Sequence, residues 1–199
     1  MLKNPNKFEK ERTIVYFIRH GERIKTLDSP DSGLNQPGPG LTNLGKRQAK
    51  AAAKELLKIK NEIDKVYCSS MTRAIETCKI ISKRINKKPI IIPELSEFDT
   101  SFWRRKFYTR KFWKNYLLHK KAIKAFNKIL EENKGKLIVL VIHGNVIKAL
   151  IFRKMGLSIK KSGKFHTRNC NFAIAQYKNK KLQHICCFNS NSIDHKSEF

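Results

Sequence analysis

The 199-residue sequence predicts an α/β protein, a three-layer αβα sandwich around a mostly parallel sheet. Two observations carry this reading. Strand-length apolar runs alternate with amphipathic, helix-length segments, the order that parallel pairing requires. The strongest strand, LIVLVI at 137–142, is apolar on both faces, as expected for a strand covered by helices on either side.

Each element has its own local reason. Residues 14–18 (IVYFI) are a continuous β-rich run ending in Arg19-His20-Gly21, a buried strand opening onto a loop. The stretch 29–40 (SPDSGLNQPGPG) has the turn chemistry of a surface loop. Thr42 is placed to cap a long helix whose Leu44, Ala49, Ala52, Ala53, Leu56 and Leu57 recur at helical spacing. A short strand at 65–68 follows. Ser69 and Ser70 are expected to cap a helix that begins near Met71 and carries Ala74, Ile75, Cys78 and Ile81. A further strand is expected at 90–92, helix over 102–132, and the central strand at 137–142. Asn145 is expected to cap the next helix. Strands at 172–177 and 182–188 are expected to pair through the turn at 178–181. In such sheets, chemistry gathers where strand C-termini meet loops.

Composition narrows the class. The length suits one domain over 1–199. Apolar residues at 40% and aromatics at 10% exclude a disordered tail. With no run of about 18 apolar residues, no membrane span is expected, and the apolar run at 14–18 is too short for a signal peptide. Lys+Arg number 43 against 16 acids, a formal charge of +27. Such an excess invites a nucleic-acid or anionic-membrane reading. Its even spread, with abundant Asn and Ile, reads as compositional bias rather than a binding face, so nucleic acid is not the expected partner. The charge still attracts anionic substrates. Cysteines at 68, 78, 170, 186 and 187 are odd in number and form no C-x-x-C. Neither a disulfide framework nor a zinc site is expected, and a reducing cytoplasm is the expected compartment. Self-association is left open.

Two histidines stand at equivalent places, His20 after the first strand and His143 after the strongest one, and each is followed by glycine (Gly21, Gly144). Three arginines join them: Arg19 beside His20, Arg23 one short turn later, and Arg73 in the first turn of the helix near Met71. Two imidazoles among three guanidiniums make a pocket for a dianion, because the guanidinium fork matches phosphate oxygens. Repulsion from the arginines disfavours imidazolium and keeps a histidine nucleophilic near neutral pH. A neutral imidazole attacking phosphorus needs no metal, only charge neutralisation and a proton for the leaving group. Glu97, after the 90–92 strand, is the candidate donor, with Glu94 and Asp99 as competitors. No cofactor is implied and no metal site is expected.

The run Phe17-Ile18-Arg19-His20-Gly21-Glu22-Arg23 resembles the RHG signature of the histidine phosphatase (phosphoglycerate-mutase-like) superfamily. The likeness continues through Leu41-Thr42-Asn43-Leu44-Gly45 with Gln48-Ala49, then Ser69 to Thr77 (SSMTRAIET), Glu97, and His143-Gly144-Asn145-Val146-Ile147. The resemblance implies that fold, with His20 as the phosphorylated nucleophile. It implies Arg19, Arg73 and His143 as phosphoryl ligands, Arg23 joining them in an RHGER-like subset, and Glu97 as proton donor. The motifs are most similar to the mutase-like serine/threonine protein phosphatases. Mutases follow RHG with a small hydroxyl residue and a nearby Trp-Asn; this chain has Glu22, Arg23, Ile24 and Lys25. That departure favours hydrolysis of a phosphorylated substrate, a phosphoprotein ahead of a small phosphomonoester, over mutase activity. A non-catalytic phosphate-binding scaffold is the remaining alternative.

Between Glu97 and His143 lies a basic, aromatic segment, expected to form a helical cap at about 98–134. Its Trp103, Phe107, Trp113 and Tyr116 are expected to pack downward while its lysines are solvated. The other reading is a positively charged lid over the substrate. His119, His166, His184 and His195 have no partnered motif, and the tail after Asn189 is polar.

Overall fold

The structure is a computed structural model that describes residues 11–25, 37–99, 110–158, 162 and 165–193. The chain runs β1 (Arg12–Arg19), α1 (Asn43–Leu57), β2 (Ile63–Cys68), α2 (Thr72–Ile85), β3 (Pro89–Ile91), a 3-10 turn (Pro93–Leu95), α3 (Arg110–Glu132), β4 (Leu137–Ile142), α4 (Gly144–Lys154), β5 (Phe172–Lys178) and β6 (Lys181–Ser190). The sheet order is β3-β2-β4-β1-β5-β6. β3, β2, β4 and β1 pair in parallel, whereas β5 runs antiparallel to β1 and β6 antiparallel to β5. The mostly parallel α/β sheet is thus as the sequence predicts.

Strand alternation sorts the core into two halves. Val15 and Phe17 of β1 and Ile138, Leu140 and Ile142 of β4 face one side, with α3 and α4. Tyr16, Ile18, Val139 and Val141 face the other, against α1 and α2. Because successive side chains point to opposite faces, a strand buried on both must be apolar throughout. Every residue of β4 is buried.

Several local expectations are corrected. Leu44 is exposed and Leu57 half-buried, because the face of α1 turned inward is Gly45, Ala49, Ala52, Ala53 and Leu56. Thr42 does cap α1, its Oγ1 accepting from Gly45 N–H at 2.9 Å. Neither Ser69 nor Ser70 caps α2: the N-cap is Met71, with no side-chain bond. Asn145 likewise lies inside α4, whose N-cap is His143. The strand expected at 90–92 is β3, a short edge strand with Ile90 and Ile91 exposed.

The segment at 98–134 is only partly a surface feature. Leu118, Ala122, Phe126, Ile129 and Leu130 of α3 are buried in the main core. Trp113 is 52% exposed and does not pack down, while Tyr116 is half-buried under the Lys120 ammonium, 4.9 Å from the ring centroid. Trp103 and Phe107, the helix expected over 102–109, the loop at 29–36 and His195 lie outside the described residues. Among the described residues, no helix is long and apolar enough to cross a membrane.

Phe126 fixes α3 to the sheet, its ring meeting Phe17 at 5.6 Å and Tyr177 at 5.4 Å. Phe126→Ala should lower the unfolding free energy by about 3–5 kcal/mol through lost transfer energy and a residual cavity. Leu117→Ala, at a position 53% exposed on the same helix, should change it by about 0.5 kcal/mol or less. Urea denaturation of both variants checks this.

Candidate active site

The β1–β4 register decides the site. Arg19 pairs with Ile142, and His20 N–H donates to Ile142 O at 2.9 Å, so the residues following the two strands emerge side by side. The rings of His20 and His143 lie 5.0 Å apart, edge to face. Arg73 reaches them from the first turn of α2, donating from Nε to His20 Nε2 at 3.1 Å. Glu97, just past the 3-10 turn, places Oε2 3.9 Å from His143 Nδ1. The sequence-predicted His20, His143, Arg73, Arg19 and Glu97 therefore converge.

The hydrogen bonds assign the His20 tautomer. Nδ1 lies 2.7 Å from Gly21 O, an acceptor only, so Nδ1 carries the proton and Nε2 presents its lone pair. Arg73 Nε–H, which can only donate, points at that pair. His20 is 3% exposed. Burial, with the nearby Arg73 charge next and smaller contributions from Arg19 and Arg23, drives its pKa down to about 3, against the opposing Gly21 bond. His143 is wholly buried and also held well below the ordinary histidine range, by burial first and then by His20, Arg73 and Arg19. Both rings are neutral at pH 7.

Glu97 is shifted the other way. Burial pushes its pKa up to about 7, against the pull of Arg73, Arg19 and Lys148. Its side chain keeps a 15% window to solvent, through which a proton can exchange. With His143 neutral, the 3.9 Å approach of the two groups is not an ion pair. Glu94 is exposed on the short turn, and the Asp99 backbone N–H is tied to Asn115 Oδ1 at 2.9 Å.

His20, Glu97 and His143 each bring one donor atom within 4.8 Å of the others, a span that a metal ion could bridge. The surroundings oppose a cation. Arg73 Nε–H occupies the His20 lone pair, and the charges of Arg73 and Arg19 act on all three groups. The same features suit an anion. Arg19 donates from one guanidinium nitrogen to Thr167 O at 2.5 Å, leaving its buried Nε without a partner. Arg23, half-buried and bridged to Leu41, stands further out but within the field felt by His20. Gly144 opens α4 beside Arg19: a Cβ there would sit 2.4 Å from Thr167 Oγ1 and 3.5 Å from Arg19 Nε.

This arrangement is accompanied by family-wide similarity. The family model described as the histidine phosphatase superfamily (branch 1) matches residues 15–117 and 113–189. The chain belongs to that superfamily. Among solved structures, the chain is similar to a putative alpha-ribazole-5'-P phosphatase from Escherichia coli. The TM-score is 0.74 and the identity 23%, over 91% of this chain and 98% of that one. Among curated proteins, it is 27% identical over 171 residues to the metal-independent phosphoserine phosphatase of Arabidopsis thaliana, covering 74% of this chain and 71% of that protein. It is 39% identical over 80 residues to the mitochondrial serine/threonine-protein phosphatase Pgam5 of Drosophila erecta. That match spans 40% of this chain and 25% of that protein.

Sequence reasoning missed the residues that brace this site. Ser69 Oγ lies 2.6 Å from His143 Nε2, yet a serine before a helix reads as a cap. Thr77 Oγ1 accepts from Gly21 N–H at 3.0 Å and donates to Arg73 O at 2.7 Å, linking the loop after β1 to α2. Asn169 Nδ2 donates to His20 O at 2.7 Å, and Cys170 N–H to Arg19 O at 2.8 Å, from a segment with no motif of its own. Glu22 N–H donates to Gln48 Oε1 at 2.8 Å, and Glu22 Oε2 accepts from Thr42 Oγ1 at 2.7 Å.

These bonds clamp the loop after β1 against α1, and two glycines make the clamp close. A Cβ on Gly21 would fall 2.5 Å from Gly45 O, and one on Gly45 only 2.1 Å from Glu22 O. Backbone cannot yield there as a flexible side chain would. Gly45→Ala should therefore destabilise the fold by about 1–3 kcal/mol, the usual cost of forcing a methyl group into packed structure. Ala51→Gly, at an exposed position of the same helix, should cost about 1 kcal/mol from helix propensity alone. Thermal unfolding should rank Gly45→Ala as the more damaging.

Proposed function

We propose that the protein hydrolyses phosphomonoesters without a metal, through a phosphohistidine on His20. The observation that carries the proposal is the His20 ring: neutral, buried, its Nδ1–H held by Gly21 O and its Nε2 lone pair directed at the Arg73 guanidinium. When a phosphoryl group occupies the pocket, Arg73, Arg19, Arg23 and His143 neutralise its oxygens, and the Gly144 backbone leaves room for it. Arg73 turns its Nε–H from His20 Nε2 to a phosphoryl oxygen, the freed Nε2 pair forms the N–P bond as the ester P–O bond breaks, and Glu97 delivers its proton to the departing alkoxide. Glu97, now a carboxylate, takes a proton from water. The resulting hydroxide breaks the N–P bond, releasing phosphate and restoring both groups.

For the substrate, the reading best supported is a serine-type alkyl phosphate. The protonated Glu97 matters most for such a poor leaving group. The resemblance to a serine/threonine-protein phosphatase supports a phosphoprotein, and the basic charge of +27 favours an acidic one. A second reading is a small metabolite, favoured by the broader likeness to a phosphoserine phosphatase over 74% of the chain. Steady-state turnover of free phosphoserine, phosphoserine peptides and sugar phosphates separates the two.

Rapid quench with a labelled phosphomonoester should trap an acid-labile, base-stable phosphoenzyme in the wild type and none in His20→Ala, with turnover unaffected by EDTA. Turnover retained without His20 would refute the proposal.

Glu97 gives a second test. Its acid form persists up to about pH 7, so hydrolysis of alkyl phosphates should fall as pH rises through that value. Measured as kcat/KM, which reports P–O cleavage rather than the later attack of water, Glu97→Gln should lose about 10²–10⁴-fold on alkyl phosphates and far less on p-nitrophenyl phosphate, whose leaving group needs little protonation. The neutral-pH fall should vanish in that variant. Equal losses on both esters would give Glu97 a structural role instead.

A further inference from the structure

Ser69 has no role in the chemistry above, yet it is wholly buried and makes the short contact to His143 Nε2. Its place is fixed from both directions. Ser69 N–H donates to Val141 O at 3.3 Å, anchoring the end of β2 to the strand that presents His143. Ser69 Oγ accepts from Met71 N–H at 3.3 Å, at the N-terminus of the helix that carries Arg73.

The bonds around Oγ favour one direction for that contact. The Met71 amide occupies one lone pair of Oγ, and among the described residues His143 Nε2 is the acceptor within reach of the hydroxyl hydrogen; were Nε2 to donate to the second lone pair, that buried hydrogen would be left unsatisfied. With Ser69 donating, Nε2 accepts and the ring proton sits on Nδ1. The opposite tautomer would leave a bare Nδ1 lone pair facing the site. There it would meet the Glu97 carboxyl oxygen at 3.9 Å, too far for a hydrogen bond, and the oxygens of any bound phosphoryl group. Nδ1 is buried and has no partner in the free site, as expected for a donor whose acceptor arrives with the ligand.

We propose that Ser69 is a positioning residue that holds His143 in its Nδ1–H tautomer, so that the ring donates a hydrogen bond to a phosphoryl oxygen. The two histidines then carry the same tautomer with opposite orientation. His20 presents a lone pair to phosphorus, and His143 presents a proton to an oxygen beside it. The proposal rests on the phosphoryl pocket of the preceding reading. It differs in that it concerns a ring state, which can be observed without turnover.

The test combines three readouts on the full chain: the His143 ring nitrogens by long-range proton–nitrogen NMR, the affinity for inorganic phosphate by calorimetry, and kcat/KM on p-nitrophenyl phosphate. The wild type should show a pyrrole-type Nδ1 and a pyridine-type Nε2 at His143. Ser69→Ala should move the ring toward the Nε2–H form, weaken phosphate binding about 10-fold, and lower kcat/KM by about 10- to 100-fold, the range typical when a supporting hydrogen bond is removed. Ser69→Cys, which keeps a weak donor of similar size, should fall between the two and carries the test should the alanine variant not fold. An unchanged tautomer in a folded variant overturns the proposal, as does a switched tautomer with wild-type phosphate affinity. A wild type that binds phosphate but turns over no phosphomonoester refutes the hydrolase reading alone, and the tautomer and affinity measurements still decide the role of Ser69.

Discussion

The parallel pairing of β1 with β4 is the constraint on which the site depends. Its register runs without a break from Ile14–Leu137 to Arg19–Ile142, so both strands stop at the same level and deliver His20 and His143 together. Nothing nearer in sequence could do this, since more than a hundred residues separate the two rings. The pairing is held by burial on both faces: strand side chains alternate between two helical layers, and all of β4 is excluded from solvent. A one-residue slip would turn every side chain of β1 to the opposite layer, and would also pull the histidines out of level.

Electrostatics then follow from where the sheet ends. The groups emerge into a buried space bounded by the first turns of α2 and α4, and burial is the leading cause of every large shift there. It removes charge from the histidines and keeps a proton on the carboxyl. The arginines add to the first effect and oppose the second. The result is a pair of neutral imidazoles beside a carboxyl that keeps its proton up to about pH 7, all within the field of Arg73 and Arg19. Surroundings of that kind favour a dianion over a cation, even though the three donor atoms of His20, Glu97 and His143 are spaced closely enough for a metal.

Precision comes from backbone contacts rather than from the charged side chains. Gly21 and Gly45 let the loop after β1 lie directly against α1, while Thr42, Gln48, Thr77 and Asn169 tie its amides and carbonyls in place. The partners come from α1 and its cap, from α2 and from the segment before β5, so the loop is held on several sides. This is how a loop segment acquires the rigidity that positions His20 Nε2 against Arg73.

The sequence by itself determined the layered sheet, because burial on two faces and on one leave different periodicities in the chain. It also marked His20, His143 and Arg73 as candidates at strand ends and a helix start, which apolar runs and their boundaries encode locally. But it left Glu97 as one of three candidate acids, and the β1–β4 register is what brings the groups together. Tertiary structure alone decided the rest. Ser69 and Asn145 carry cap-like chemistry, but their side chains bond across the fold, to His143 and to Phe98 O, and no local rule can weigh a partner 74 or 47 residues away. Likewise, α3 looked like a surface cap from its lysines and aromatics, yet Leu118, Ala122, Phe126, Ile129 and Leu130 face the sheet. Periodicity says that a helix has an apolar face; only packing says which of two rival apolar stripes finds a partner.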